Sequence, residues 1–210
     1  INISTNRFEQ RGLLHAEIVI PTTDKRIHLL CVHLNLLEGG RQAQLKKISS
    51  RIREFVPENA PLILAGDFND WRQTASSTLS RELHLNEAFK TKHGQYCRSF
   101  PSFFPILTLD RIYMRGLETH SALCLTDVPW STISDHNALL VEFDFVRKEF
   151  LPQANGFAVT KARALSCLVL NQFCKIYFVE SPVFAELRMS SHGICKSQVY
   201  DVQVGHGQFF

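Results

Sequence analysis

The sequence predicts an α/β fold, and three observations carry that expectation. Short β-rich apolar runs recur between residues 12 and 145, and a long stretch between them, residues 41–56, changes to helical spacing. The third is the stretch Pro61-Leu-Ile-Leu-Ala-Gly-Asp67-Phe68-Asn69-Asp70-Trp71, around which the rest is arranged. Its apolar run, bounded by Pro and Gly, reads as a buried strand, with Gly66 turning the backbone where the strand leaves its sheet. Alternation then places Asp67 and Asn69 on one face and returns Phe68 to the core. Asp and Asn also favour turns. The stretch therefore reads either as a turn or as the oxygen-rich end of a site suited to a hard cation or a phosphate-bound water.

In chain order, residues 12–20 and 26–33 are two β-rich runs joined by a turn-rich link, which predicts an antiparallel hairpin. The second run ends in His33-Leu-Asn35, and the flexible pair Gly39-Gly40 follows. Leu45, Ile48, Ile52, Phe55 and Val56 then line one side of a helix that Pro57 ends. Lys46, Lys47, Arg51 and Arg53 fall mostly on its other side and read as a solvated face. A short helix is expected around 77–85. The loop 90–105 carries Tyr96, Arg98, Phe100, Phe103 and Phe104. Those aromatics either line a substrate rim or pack under the sheet, and packing is the expectation. Strands are predicted at 107–115, 119–126 and 137–145. Residues 148–210 show no sustained period and are assigned no chemistry, so the predicted division is a domain over 1–146 and an extension over 147–210.

Bulk properties narrow the function. The chain has 210 residues and a net charge of only +3, which weighs against bulk electrostatic binding of nucleic acid but leaves room for a local basic rim. Cys31, Cys97, Cys124, Cys167, Cys174 and Cys195 form neither a C-x-x-C pair nor a zinc-ligand pattern. Cys31 and Cys124 sit in strand-like runs, so buried free thiols in a reducing compartment are expected, and with them a cytoplasmic location. The apolar stretch 164–179, interrupted by Asn171, Gln172 and Lys175, is too short and too polar to span a bilayer.

Four sites of chemistry lie at the predicted strand ends. His33 closes the second run, Asp67 and Asn69 close the central one, Asp110 opens Asp110-Arg-Ile-Tyr113, and Asp135-His136 precedes the last strand. Each alone has an ordinary structural explanation: a satisfied strand histidine, or an Asp110–Arg111 ion pair. Asp135 and His136 diverge in an extended strand, so their joint action requires a turn. Together they supply what metal-assisted phosphoester hydrolysis needs: oxygen ligands, imidazoles that contact a phosphoryl oxygen or move a proton, and a carboxylate that fixes a tautomer.

At these residues the sequence resembles the endonuclease/exonuclease/phosphatase superfamily. His33-Leu-Asn, Gly66-Asp-Phe-Asn-Asp70, Leu109-Asp-Arg-Ile-Tyr113 and Ser134-Asp-His-Asn-Ala138 match its second-half motifs in order, over about residues 1–146. The wording Arg41-Gln-Ala-Gln-Leu45 and Gly66-Asp-Phe-Asn-Asp-Trp-Arg72 is similar to small bacterial members. The resemblance implies a four-layer α/β/β/α sandwich with two packed mixed sheets, and Mg²⁺- or Mn²⁺-dependent cleavage by in-line water attack. It implies that His33 and His136 flank the phosphate, Asp110 orients His136, Asp67 and Asn69 position nucleophile and phosphate, and Asp67, Asn69 and Asp135 hold the metal. Asn35, Arg41 and Arg72 are the candidate substrate contacts. The substrate class is a phosphoester, with nucleic acid and phospholipid headgroups both inside it. The superfamily's first half supplies a Gln-Glu whose Glu is a principal metal ligand, and no such pair stands in this chain. The expectation is thus a sandwich lacking its N-terminal half. The alternative is a binding or remnant module that keeps the shape without turnover.

Overall fold

The computed structural model describes residues 1–20 and 25–146, and the backbone of residues 165–170 and 175–180. Strands β1 (Leu13–Ile20) and β2 (Lys25–His33) form the expected antiparallel hairpin, with Leu13 opposite Val32 and Ile20 opposite Lys25. Helix α1 (Glu38–Phe55) follows, and β3 (Leu62–Asp67) returns parallel to β2. The connection has to be a crossover, because parallel neighbours cannot be joined by a tight turn. Helix α2 (Ala75–Leu83), the two-residue β4 (Asn86–Glu87) and helix α3 (Ala88–His93) lead to β5 (Asp110–Arg115). Strand β6 (Leu117–Leu125), a short helix α4 (Trp130–Ile133) and β7 (Ala138–Phe145) come next.

The first sheet has the order β1-β2-β3-β5-β4 and is mixed. The second has the order β6-β7-β8-β9, where β8 is Leu165–Leu170 and β9 is Lys175–Glu180. All its described pairs are antiparallel, where a second mixed sheet was expected. Strands β8 and β9 also correct the reading that 148–210 carries no strand pattern. Leu165-Ser-Cys-Leu-Val-Leu170 and Ile176-Tyr-Phe-Val179 are runs of strand length. Such runs fit strands paired against an existing sheet without any longer period. The rest of 147–210, including Cys174 and Cys195, lies outside the described residues.

Alternation along the first sheet sorts its side chains into two cores. Ile27, Leu29, Cys31, Ile63, Ala65, Ile112 and Met114 face the second sheet, meeting Ala122, Leu139, Val141 and Phe143. Leu30, Val32, Leu62, Leu64 and Tyr113 face outward, where Leu45, Ile48 and Ile52 of α1 and Leu79 and Leu83 of α2 cover them. Each such fully buried aliphatic or aromatic side chain stabilises the fold by roughly 1.5–3 kcal/mol. Three layers, helix on sheet on sheet, are thereby described, and a fourth is not among the described elements.

Two local departures have physical causes. Helix α1 begins at Glu38, so Gly39 and Gly40 form its first turn rather than a loose linker. Gly40 packs so close to Asn35 that a Cβ there would lie 2.9 Å from its Cγ, so the glycine marks a contact. The loop 90–105 divides: Tyr96 is buried as expected, whereas Phe103 and Phe104 stand in solvent, against the expectation of packing. Cys31, Cys97 and Cys124 are free thiols, as read from the sequence; Cys31 and Cys97 are buried, whereas Cys124 is only partly so.

Gly66 has φ +137, and a Cβ on it would meet the Val32 carbonyl oxygen at 1.9 Å. Val32 is its register partner on β2, so the clash falls inside the parallel ladder. Gly66→Ala should destabilise the fold by about 2–4 kcal/mol, the range for a strained backbone position in a core strand. A urea melt of the variant checks this, and an unchanged midpoint contradicts it.

Candidate active site

The period of the first sheet builds the site. His33, Asp67 and Asp110 continue the row of residues that faces the second sheet, one step beyond the apolar side chains. They are also register partners: His33 pairs with Asp67 across β2 and β3, and Asp67 with Asp110 across β3 and β5. Three adjacent strands therefore present imidazole, carboxylate and carboxylate in one line at the open edge of the inter-sheet core. His33 Nε2 lies 3.4 Å from Asp67 Oδ2.

The second sheet supplies the fourth member. The chain bends at Asp135-His136, which gives the turn their joint action requires. His136 Nδ1 lies 2.7 Å from Asp110 Oδ2, both side chains nearly closed off from solvent. The Phe100 ring packs at 4.7 Å from the imidazole. The lead-in to β7 is fastened to the 99–102 segment: Ser102 N donates to Asp135 O and Asn137 N to Ser99 O, each at 2.7 Å. Burial disfavours the His136 imidazolium, but the hydrogen bond and charge of Asp110, with Asp67 and Asp135, outweigh it and raise the pKa above the ordinary histidine value. His33 moves the other way, lowered by burial first and then by Arg11 and His136. The two imidazoles are thus shifted in opposite directions, His136 towards keeping its proton and His33 towards losing it.

The loop after β3 is built to hold Asn69. Phe68 is wholly buried and packs edge-on to Tyr113 at 5.0 Å. Asn69 takes φ 48, a left-handed conformation that Asn tolerates, and is fixed by Asn69 N donating to Asp67 Oδ1 and Asn69 Nδ2 donating to Leu34 O, both at 2.8 Å. Its amide oxygen is left as an acceptor. Asp70, part of the motif but given no role from the sequence, is fully buried; its carboxylate accepts from Thr74 N and Ala75 N and so caps α2. The signal was an Asp just ahead of the helix start.

Arg111 corrects the expected Asp110–Arg111 ion pair. Neighbours on a strand point to opposite faces, so the guanidinium cannot reach its own neighbour's carboxylate. It is buried on the helix side, donating to the Asp110, Asp70 and Thr108 oxygens and lying 4.2 Å over the Tyr96 ring. Among the three candidate substrate contacts, only Arg72 is free in solvent, 4.6 Å over the Trp71 ring. Arg41 is buried and clamps the α1 entry through the Asn35 and Leu36 carbonyls and Glu38. Asn35 is buried beside it and accepts from Leu37 N. Both have the geometry of loop clamps.

The donors fit a hard cation only in part. Asp67 and Asp135 are carboxylates, Asn69 offers an amide oxygen, and Asp110 Oδ1 is buried with no partner among the described residues. No group of three or more His, Cys, Asp or Glu is gathered among the described residues to hold an ion.

The raised pKa of His136 makes a signed prediction. A group raised in the folded state stabilises fully below its unfolded pKa, about 6.5 for histidine, and the stabilisation is lost as pH rises through the folded value. Asp110→Asn should therefore destabilise most below about pH 6.5. The deficit should shrink as pH rises above that. Thermal melts of both chains across pH 5–9 check it, and a deficit that grows with pH contradicts it.

The profile of the Endonuclease/Exonuclease/phosphatase family matches residues 4–136. The uncharacterized protein YbhP of Escherichia coli K12 is 43% identical over 141 residues, covering 67% of this chain and 55% of YbhP. The chain thus spans about half the length of this relative. An endonuclease/exonuclease/phosphatase crystal structure from Bacteroides vulgatus superposes with a TM-score of 0.59 at 20% identity, over 69% of this chain and 63% of that one. The mannosyl-6-phosphatase Bt3783 of Bacteroides thetaiotaomicron does so with a TM-score of 0.58 at 19% identity, over 69% and 64%. At these identities the two structures speak for the fold, and the match over residues 4–136 makes this chain a member of the Endonuclease/Exonuclease/phosphatase family.

Proposed function

We propose that this chain carries phosphoester-hydrolysing machinery in which water attacks phosphorus in line, at the mouth between its two sheets. The observation that supports this reading best is the 2.7 Å Asp110–His136 contact, set against the register row of His33 and Asp67. With Nδ1–H donated to Asp110, His136 turns Nε2 to the cleft. In its imidazolium form it donates a hydrogen bond to a phosphoryl oxygen and stabilises the charge that gathers there. His33 flanks the phosphate from the β2 side. Asp67 accepts a hydrogen bond from the attacking water and takes its proton as the water oxygen bonds to phosphorus and the opposite P–O bond breaks, the leaving oxygen departing into solvent, where it is protonated, while Asn69 orients the phosphate. Arg72, exposed beside Trp71 just after Asn69, reaches the rest of the substrate.

Asp67, Asn69 and Asp135 would hold a Mg²⁺ or Mn²⁺ ion, which when bound polarises a phosphoryl oxygen as a Lewis acid. The reading as a binding module without turnover draws on one observation, the lack of a gathered three-residue ligand group among the described residues.

Asp110→Asn and His136→Ala should each lower hydrolysis of bis(p-nitrophenyl) phosphate by roughly 10²-fold or more, the scale for removing acid–base help. Equal turnover by both variants and the parent sinks the proposal. Calorimetric titration of the 210-residue chain with Mg²⁺ should show weak binding, because carboxylates are few. Tight binding with metal-dependent turnover shows that this account of the ligand set is wrong.

A further inference from the structure

The most exposed large apolar side chains of the described surface are gathered at one end. They are Phe8, Leu36, Leu37, Phe103, Phe104 and Val128, ranging from 66% exposed at Leu36 to 95% at Phe8. Other exposed large apolar side chains of the described residues reach at most 55%, at Ile1. Every one of the six lies on a loop at the catalytic end of a strand. Leu36 and Leu37 follow His33 at the end of β2, and Phe103 and Phe104 precede Asp110 at the start of β5. Val128 lies between β6 and β7, in the segment that leads to His136, and Ser102 Oγ donates to Ser131 O to join this loop to the phenylalanine loop. Phe8 belongs to the 4–11 loop, which reaches the same edge through Asn35 Nδ2 donating to Thr5 Oγ1. Trp71 and Ile106, about half exposed, stand on the same loops.

This distribution is not what a single copy in water selects. Isolated surface apolar residues are ordinary, but a gathered set marks a contact surface. The chemistry of the rim narrows the contact. Arg7, Arg72 and Arg98 are exposed on these loops, and none of the three is in an ion pair among the described residues. Arg72 lies over Trp71, an amphipathic ring beside a cation. Within the ring three of the four reactive groups are recessed: Asp67, Asp110 and His136 are buried, and His33 is half-exposed at the rim. A phosphoester must therefore project from whatever surface meets the rim. Aliphatic and phenyl tips that enter an acyl boundary, Trp and Arg at headgroup level, and a recessed phosphate site are the requirements for docking on a phospholipid bilayer. Nucleic acid fits less well, because its polyanionic backbone calls for a dense run of positive charge, and this chain carries a net +3 with its rim arginines interleaved with exposed apolar side chains.

We propose that the catalytic-end loops dock this chain on the surface of a phospholipid bilayer, presenting headgroup phosphates to the cleft. The proposal rests on the phosphoesterase reading for what the cleft does, but not for the docking itself. Phe8, Leu37, Phe103 and Phe104 enter the interface, and Arg7 and Arg72 add attraction to anionic lipid.

The test uses the full 210-residue chain and sucrose-loaded vesicles of phosphatidylethanolamine and phosphatidylglycerol, or of phosphatidylcholine alone. The parent should sediment with both, more tightly with the anionic mixture. A Leu37→Ser/Phe103→Ser/Phe104→Ser variant should bind at least about tenfold more weakly, the scale for removing several buried apolar groups. It should keep the parent's melting temperature and its hydrolysis of soluble bis(p-nitrophenyl) phosphate. Trp fluorescence of the parent should shift to the blue on vesicle addition, and less so in the variant. Failure of the parent to bind either vesicle overturns the docking, as does equal binding by the variant. Concentration-dependent dimerisation abolished by the same substitutions overturns it in favour of a copy-to-copy interface. Tighter binding to a fluorescein-labelled oligothymidylate than to vesicles overturns it in favour of nucleic acid. Loss of turnover on the soluble diester with vesicle binding intact would instead reject the phosphoesterase reading and leave the docking standing.

Discussion

The structure depends on one register. Because His28 pairs with Leu62 and Leu62 with Arg115, the strand ends fall level, and His33, Asp67 and Asp110 stand side by side. A slip of one residue would send each to the opposite face, among the leucines under α1 and α2. The apolar residues that precede them in each strand fix that register, since one parity fills the inter-sheet core and the other the helix-side core. Gly66 belongs to the same constraint, because its absent side chain lets β3 lie close against Val32. The site is thus the polar continuation of a hydrophobic pattern.

The polar atoms of that continuation are held by short local devices. Asn69 bonds to Asp67 and Leu34, Asp70 caps the next helix, and Arg111 bridges the Asp70 and Asp110 carbonyls from behind the sheet. The buried guanidinium is held through its two terminal nitrogens and the Tyr96 face, while its Nε has no partner among the described residues. Asp110, Asp67 and Asp135 raise the proton affinity of His136, while partial burial together with Arg11 and His136 lowers that of the half-exposed His33.

Much of this was legible before any coordinates. Period 2 in 26–33 and 61–67 located the strand ends, and four separate motifs at four such ends predicted convergence. The fate of the remaining residues was less legible because it turns on contacts far apart in the chain. Nothing local says that Arg41 folds inward onto Asn35 and Leu36 while Arg72 stays out. Likewise, the aromatic loop reads as core by composition. The closing of the 99–107 segment by Phe100 pairing with Leu107 instead puts Phe103 and Phe104 at its tip. Strands β8 and β9 were hidden for a related reason: their runs are too short to show a period and depend on β7 as a template.

His136 is covalently part of the second sheet, yet its non-covalent fastenings belong to the first. Asp110 holds its ring, Ser99 and Ser102 hold the backbone on either side, and both serines lie on the approach to β5. Mechanically, then, the four reactive groups form one body, and the seam between the sheets runs behind them rather than through them. Small sliding of the second sheet, or change in the strands added beyond β7, is absorbed in the apolar seam without parting imidazole from carboxylate. Such an arrangement leaves the outer edge of that sheet open to variation in length and sequence while the geometry of the cleft is conserved.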